Sequence, residues 1–307
     1  MEPAAHPAAP SSLKADAVLL ALTATWGLTF IVVKGALDQA DPFTFLALRF
    51  SLGALAACLV AGRRLLDGPS VRAGLVLAPF LFLGFVLQTV GLRYTTASRS
   101  AFLTGLAVVL VPFGQVLVLR AWPKVTSLVG VAFSVVGTWF LSGGFRAAGQ
   151  APTFKGDVLT VGCAIAYAAH ITLTGRFAAR VKVTAMVAVQ LVGVAALALA
   201  CVPFGEQRLV VSPALLGGLA FTGLFASALA LNVQSWGQAR TTPVRAALIF
   251  SMEPVFAAGY AVLFAHEHLS QGEWGGGGLI VVGILVAEVG AAVLERLRSG
   301  FSAARPP

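Results

Sequence analysis

The chain has 307 residues, of which 11% are charged and 58% are hydrophobic, and its mean hydropathy is +0.89. The interior of a soluble domain cannot absorb this much apolar surface, so the composition excludes an ordinary soluble protein and favours a lipid bilayer as the surroundings. The net charge of +9 comes from Lys and Arg residues that lie mainly in short connections between apolar runs, which argues against a nucleic-acid partner.

The first half of the chain contains five apolar runs of the length that a helix needs to cross about 30 Å of hydrocarbon. The residues before them are polar and rich in Pro and Ala, and the first run is longer than the apolar part of a secretory signal. We therefore expect an uncleaved first span. Hydropathy and turn residues place the spans of this half at 16–36, 43–61, 73–92, 98–119 and 125–142.

The second half repeats this pattern, and its loops are too short to hold a soluble domain. Its predicted spans are 157–175, 184–203, 213–235, 244–264 and 275–294. The sequence thus predicts an all-α integral membrane protein with ten transmembrane helices.

The basic residues indicate how this protein is oriented. Most Lys and Arg residues outside the spans fall on the side of the N-terminus, as Arg63, Arg64, Arg176, Arg180 and Arg240 do. The positive-inside rule therefore predicts that both termini are cytoplasmic. The frequent Ala, Gly and Arg residues are compatible with a bacterium of high GC content, so we expect the plasma membrane, and a bacterial inner membrane in particular.

Paired residues indicate an internal duplication. Asp16 precedes Trp26 by the same number of residues as Asp157 precedes Tyr167, and the same alignment pairs Arg49 with Gln190. Further pairs are Gln88–Gly91 with Gln234–Gly237, Thr95–Arg99 with Thr241–Arg245, and Pro112 with Pro254. Each unit has an odd number of spans, so the sequence predicts two inverted five-helix repeats, 1–145 and 146–307.

Four segments resemble the drug/metabolite transporter superfamily, specifically its EamA-type ten-helix branch. They are Trp26–Phe30, Gly91–Ser98, Phe102–Pro112 and Thr242–Phe256. The resemblance covers residues 14 to 295 and implies export or exchange of small polar metabolites, often amino acids, by alternating access without ATP. It also implies that spans 1, 3, 4, 6, 8 and 9 surround a cavity, with spans 5 and 10 at the periphery, and that no cofactor is needed.

Three ionisable residues are the leading functional candidates, because a charge at the bilayer centre costs about 2.5 to 3.5 kcal/mol on insertion scales. They are Lys34, Arg49 and Glu253. Arg49 or Lys34 is a candidate for binding a substrate carboxylate, and Glu253, beside a proline, for taking up a proton or a substrate amine. The alternatives are an internal ion pair between Arg49 and Glu253 and a Lys34 side chain that reaches the membrane surface.

The sixth span carries a polar stripe, because Cys163, Tyr167, His170 and Thr174 follow helical spacing. Trp26 and Thr29 hold the repeat-related positions of Tyr167 and His170. Such a stripe faces either a cavity, where aromatic rings could stack on a ligand, or a neighbouring helix. The only histidine inside a span is His170, so it is a second candidate for proton coupling besides Glu253, although a hydrogen-bonding role is the simpler alternative.

Amide side chains and prolines complete the set of candidate site residues. Gln88 and Gln234 are equivalent by the repeat and Asn232 is near, so these amides either bind substrate or join helices. Thr104, in the fourth-span segment that resembles the family, is placed with them. Pro112 and Pro254 interrupt backbone hydrogen bonding in paired helices, which in transporters points to the binding region, although kinks without substrate contact are the alternative.

Other motifs indicate no metal or catalytic site. Cys58, Cys163 and Cys201 lie in apolar runs and form no CxxC pair, and the sequence 266–268, His-Glu-His, lacks the spacing of a metal site. The glycine run 275–278 lacks a GK[ST] ending and favours close helix packing.

We therefore expect a secondary transporter, not an enzyme, that exports or exchanges a small polar or amphipathic metabolite, most simply an amino acid. Its partners would be this small molecule, membrane lipid, and a proton or a counter-substrate. A broad drug or cation efflux carrier is the alternative, and a membrane-embedded enzyme is a remote one.

Overall fold

A computed structural model describes residues 13–95, 100, 103–141, 154–265 and 269–303 of the chain. Its first half contains five helices, α1 (Leu13–Leu37), α2 (Pro42–Ala61), α3 (Gly68–Gly91), α4 (Leu103–Leu119) and α5 (Val125–Leu141). The predicted repeat boundary at 145 and 146 lies outside the described residues.

The second half contains α6 (Phe154–Phe177), α7 (Val183–Cys201), α8 (Pro213–Gln238) and α10 (Gln271–Ala303). Between α8 and α10 lies α9, which consists of two pieces, α9a (Pro243–Phe250) and α9b (Glu253–Ala265). Throughout the described ranges there is no β-strand, and only Ala40 and Leu209 form an isolated antiparallel bridge.

The helices have the length and composition of membrane spans. Among the described residues, seven helices are long and apolar enough to cross a bilayer, and three shorter apolar helices accompany them, Leu103–Leu119, Val125–Leu141 and Gln271–Ala287. The prediction of an all-α membrane protein is confirmed. Most helix bounds agree with the predicted spans to within a few residues. The prediction was wrong at the start of the third span, because α3 begins at Gly68 instead of 73, and at the end of the tenth, because α10 continues to Ala303 instead of ending at 294. The start of the fourth span and the end of the fifth reach residues that are not described.

Short capped turns fix where several spans begin. Asp41 accepts hydrogen bonds from the backbone N–H groups of Phe43 and Thr44 at the start of α2, and Ser212 caps α8 through the N–H of Leu215. In each of these helices a proline occupies the first turn, where its missing N–H costs nothing. These local signals are why the span starts can be read from sequence.

Helix pairs follow the symmetry expected of an inverted repeat. The most extensive contacts join α5 to α10 and α2 to α7. A two-fold axis between the halves would exchange α5 with α10 and α2 with α7, so each of these pairs is symmetric about that axis. Contacts of α3 with α6 and of α4 with α6 have counterparts in contacts of α8 with α1 and of α9 with α1. The fold is therefore built from two interlocked halves rather than from two separate bundles.

Glycines let α5 and α10 approach closely. A Cβ atom on Gly130 would lie 2.5 Å from the carbonyl oxygen of Gly283, and one on Gly137 would lie 2.6 Å from the carbonyl oxygen of Gly276. Larger residues would force the backbones apart, so small residues are what permits this contact. Within the glycine run, Gly276 is the residue at the interface, whereas a Cβ atom on Gly275 or Gly278 would meet no described atom within 4 Å.

Three helices depart from regular α geometry. α4 ends in a π-helical turn, Gln115–Leu119, and α8 contains a longer π-helical segment, Phe221–Leu229. Between α9a and α9b the chain makes a turn at Ser251 and Met252, directly before Glu253 and Pro254. Irregular turns of this kind inside helices occur frequently at functional sites.

Candidate functional site

A cavity lies between helices of both halves and contains about 890 Å³ of space free of protein atoms, including its open part. Of the residues proposed from sequence, ten line it, namely Trp26, Thr29, Arg49, Gln88, Thr104, Tyr167, His170, Gln234, Glu253 and Pro254. Residues far apart in the chain, from α1, α2, α3, α4, α6, α8 and α9, thus face one space.

Arg49 of α2 is the cation of this cavity. Only 3% of its surface is exposed, and its guanidinium carbon lies 4.6 Å from the ring centre of Phe85 and 5.1 Å from that of Phe50. Its Nε donates a hydrogen bond of 3.0 Å to the hydroxyl of Ser227 on α8. Because Ser227 is its one hydrogen-bond acceptor in the described part of the chain, both Nη groups remain available to a ligand.

Glu253 supplies the opposite charge from the other half. It is the first residue of α9b and lines the cavity, and its carboxylate makes no hydrogen bond or ion pair to any residue that the structure describes. In particular, it forms no ion pair with Arg49. Tyr167 lines the same cavity as both charges.

A hydrogen-bond chain crosses the cavity wall from α3 to α4 and α6. The amide nitrogen of Gln88 donates to the hydroxyl of Thr104, and the Tyr167 hydroxyl donates to the amide oxygen of Gln88, both over 3.3 Å. The hydroxyl of Thr104 also lies 3.9 Å from the sulfur of Cys163. Gly84 of α3 leaves room for the Tyr167 ring, since a Cβ atom there would collide with it. Of the polar stripe predicted on α6, Cys163 and Tyr167 therefore meet this chain, whereas the buried Thr174 hydroxyl has no hydrogen-bond partner in the described part of the protein.

Aromatic rings form the apolar part of the lining. Trp26 and Phe250 meet edge to face with their centres 5.3 Å apart, and Phe85 and Tyr167 do so at 5.6 Å. The indole N–H of Trp26 donates to the carbonyl of Ala226 in the π-helical segment of α8, at 3.2 Å. This bond satisfies the indole and holds its ring in one orientation.

His170 and Gln234 are hydrogen-bonded to the protein as well as lining the cavity. His170 is 2% exposed, and its Nε2 lies 3.1 Å from the amide oxygen of Gln190, the repeat counterpart of Arg49. Gln234 donates to Gln238, which in turn donates to the carbonyl of Ile171. These contacts fix the two side chains from behind.

The structure places three other candidates away from the cavity lining. The Asn232 side chain donates to the carbonyl of Ala228 in its own helix, at 2.8 Å. Pro112 is buried inside α4, one turn before the π-helical turn, and Lys34 is exposed in the last turn of α1. Exposure at a helix end is the geometry of a lysine that reaches the membrane surface.

Sequence reasoning missed several residues at this site, and two of them, Phe85 and Ser227, contact Arg49. Phe85 lines the cavity and covers the guanidinium of Arg49, and Ser227 accepts a hydrogen bond from that guanidinium. A signal existed, because Leu81, Phe85 and Gln88 follow helical spacing, as do Ser227, Leu231 and Gln234. The short polar Ser227 gave no reason to prefer it over other serines in apolar spans.

Outside the cavity, an ion pair joins the N-terminal ends of α1 and α9a. Arg245 donates to both carboxylate oxygens of Asp16, with Nη2 2.5 Å and Nε 3.2 Å from them. Between this ion pair and the cavity, the apolar residues Leu19, Leu22, Val244 and Leu248 belong to one buried cluster. On this side, apolar packing and an ion pair therefore lie between the cavity and the ends of the two helices.

Connections between helices carry further polar contacts. Lys182, before α7, bonds Asp67 and Ser70 at the start of α3, and Arg93 pairs with Glu206 at 2.8 Å. The hydrogen bond from Ser70, followed by that from Lys182, holds the pKa of Asp67 below its usual range. Arg93, through its hydrogen bond and charge, likewise lowers the pKa of Glu206. These loops tie the two halves together outside the apolar region.

An all-helical membrane protein whose two halves enclose a cavity lined by charges of both signs has the architecture of a membrane transporter. The sequence matches the EamA-like transporter family twice, over residues 13–143 and 154–288. The chain belongs to this family, so the resemblance found in the sequence is confirmed.

Comparison with individual proteins agrees with this assignment. A protein of Archaeoglobus fulgidus named "Uncharacterized transporter" is 32% identical over 279 residues, which cover 90% of this chain and 86% of that protein. A solved crystal structure of a protein shares 21% sequence identity and superposes with a TM-score of 0.76, covering 92% of this chain and 99% of that chain. This second likeness concerns the fold alone.

Proposed function

We propose that this protein is a secondary transporter that exports or exchanges a small zwitterionic metabolite, most simply an amino acid, by alternating access. One observation carries the proposal. Arg49 and Glu253 line the same cavity with opposite charges, and neither is paired with the other or with another described ion.

The cost of buried charge is the physical argument. An ion removed from water without a partner is strongly unfavourable, so unpaired charges inside a protein commonly pair with a ligand. The free Nη groups of Arg49 suit a carboxylate, and the Glu253 carboxylate suits an ammonium group. The rings of Trp26, Phe85 and Phe250 leave an apolar surface for the remainder of the molecule.

Coupling is proposed to reside in residues that break the symmetry of the repeat. Arg49 corresponds to Gln190, and Glu253 corresponds to Val111. Glu253 would take up either a proton or the substrate ammonium, which makes the two compete for one carboxylate. We propose His170 only as a secondary proton site, since Gln190 already holds its ring.

A broad carrier of lipophilic cations is the second candidate. The aromatic lining together with Glu253 favours it, because aromatic faces and a carboxylate both attract cations. Arg49 disfavours it, since its charge would repel a cation in the same cavity.

For the location we propose the plasma membrane, with both termini on the cytoplasmic side. The support is the excess of Lys and Arg in the connections on that side, among them Arg176, Arg180 and Arg240. The test is thiol labelling in intact cells of single cysteines placed near residues 64 and 208, after the native cysteines are removed. Only the cysteine near 208 should react with a membrane-impermeant reagent, and the reverse pattern would overturn the orientation.

The function is tested with purified protein in proteoliposomes. Uptake of each of the twenty common amino acids and of the lipophilic cation tetraphenylphosphonium is measured with and without a pH gradient and with internal counter-substrate. We expect saturable, exchange-stimulated flux of at least one neutral amino acid. The Glu253→Gln variant should lose the response to the pH gradient. Flux of the cation alone would favour the second candidate, and no flux of any compound would contradict both.

A further inference from the structure

The hydrogen bond from Arg49 to Ser227 determines which edge of the guanidinium a ligand can reach. A guanidinium offers a carboxylate two flat edges, one formed by Nε and one Nη and the other by both Nη groups. Ser227 accepts from Nε over 3.0 Å and has no exposed surface. The edge that contains Nε is therefore occupied by the protein, and the edge with both Nη groups remains.

The π-helical segment of α8 places Ser227 at this distance. Within it, Gly223 lies one turn before Ser227, and Gly53 lies one turn after Arg49 on α2. A Cβ atom on Gly223 would lie 2.8 Å from the carbonyl oxygen of Arg49, and one on Gly53 would lie 2.9 Å from that of Gly223. The two backbones are thus in contact, which brings Ser227, one turn after Gly223, within hydrogen-bond distance of the Arg49 side chain.

Two aromatic rings restrict the same guanidinium from other directions. Phe50 and Phe85 lie 5.1 Å and 4.6 Å from its central carbon, and their own ring centres are 4.8 Å apart. Rings at these distances restrain the position of the group but accept no directional hydrogen bond. Rotation of the guanidinium plane is therefore controlled by Ser227.

We infer that Ser227 is a positioning residue for selectivity: it turns Arg49 so that both Nη groups form a fork for a substrate carboxylate. Without its hydroxyl the positive charge stays in the cavity, but the fork loses its fixed orientation. Recognition of a carboxylate then weakens, whereas a molecule that lacks a carboxylate is unaffected. This inference rests on the proposed function.

The test compares an acid with its amide. The amino acid that the wild-type protein carries best is measured beside its carboxamide, which keeps the ammonium and the side chain. Ser227→Ala should raise KM for the acid about tenfold, with the maximal rate changed by less than about twofold and KM for the amide unchanged. Ser227→Thr, which keeps the hydroxyl, should restore most of the affinity for the acid.

Controls separate positioning from general damage. Thr222→Val is the matched variant, because Thr222 is buried in the same π-helical segment and, among the described residues, its hydroxyl bonds only the carbonyl of Gly218 in its own helix. It should leave both KM values unchanged. In an Arg49→Lys background, Ser227→Ala should have no further effect, since the two residues act as one unit. Ser227→Cys, a weak acceptor of similar volume, serves if the alanine variant is not recovered.

Each outcome decides the matter. An unchanged KM for the acid, or an equal rise for acid and amide, overturns the role of Ser227 while leaving the proposed function intact. A wild-type protein that carries none of the twenty amino acids overturns both. A selective rise for the acid supports both.

Discussion

Two regions of this molecule use helices in opposite ways. In the frame, formed by the pairs α2–α7 and α5–α10, helices are regular and pack through small residues, as Gly137 and Gly276 do. Around the cavity, three of the seven lining helices, α4, α8 and α9, contain π-helical turns or a break, and α2, which carries Arg49, belongs to both regions. Close packing of regular helices supplies stability, whereas irregular turns leave backbone groups without helical hydrogen bonds and direct side chains toward a ligand. Stability and transport should therefore separate by region.

Disrupting the frame should have the largest effect. In Gly276→Leu the new side chain would start 2.5 Å from the carbonyl oxygen of Gly137, so α5 and α10 must move apart. We expect the melting temperature in detergent to fall by roughly 5 to 10 °C, or no monodisperse protein at all. Gly275→Leu is the control, because its Cβ meets no described atom within 4 Å. Equal losses for both variants would contradict the packing argument.

Removing a cavity charge should impair transport without lowering stability. Arg49→Gln should reduce flux of the carried amino acid about 100-fold, because one bond to a charged group contributes about 1.5 to 3 kcal/mol. The melting temperature should stay equal or rise, since an ion with no counter-charge is removed from the apolar interior. Lys34→Gln, at an exposed helix end, should change neither quantity. A large loss of stability in Arg49→Gln would indicate a structural role instead.

Breaking the ion pair between Asp16 and Arg245 should have an intermediate effect on both stability and transport. Asp16→Asn removes the acceptor charge that joins α1 to Arg245 of α9a. Because the pair is only partly buried, we expect a fall in melting temperature of roughly 2 to 4 °C and a change in flux of a few-fold. The double variant Asp16→Arg with Arg245→Asp should recover part of both. If flux is unaffected, this end does not open during transport.

The smallest effect on stability should come from protonation of Asp67, in the connection between α2 and α3, at low pH. Hydrogen bonds from Ser70 and Lys182 lower the pKa of Asp67, so its contribution to stability is present above the ordinary Asp pKa of about 3.9 and is lost as pH falls through the lower folded value. Melting temperature measured between about pH 5 and 3 should decrease less in Asp67→Asn, which keeps the helix cap but cannot titrate. Parallel profiles would exclude this contribution.

Particular residues show how far sequence reasoning reached at the site. It grouped Asn232 with Gln234, yet residues two apart on a helix point in different directions, and only Gln234 lines the cavity. It left open an ion pair between Arg49 and Glu253, which the structure does not contain. Whether two charges pair depends on how α2 and α9 are rotated about their axes, and no local pattern encodes that rotation.

By itself, the sequence determined the bilayer environment, the ten apolar segments, the internal repeat and the capped starts of several helices, because hydropathy and turn chemistry are local properties. Tertiary structure decided which polar residues share the cavity, that Arg49 is bonded to Ser227, and that Glu253 has no described partner. Those outcomes depend on helix rotation, on the π-helical segment of α8 and on glycine contacts between helices, which arise only when the whole chain packs together.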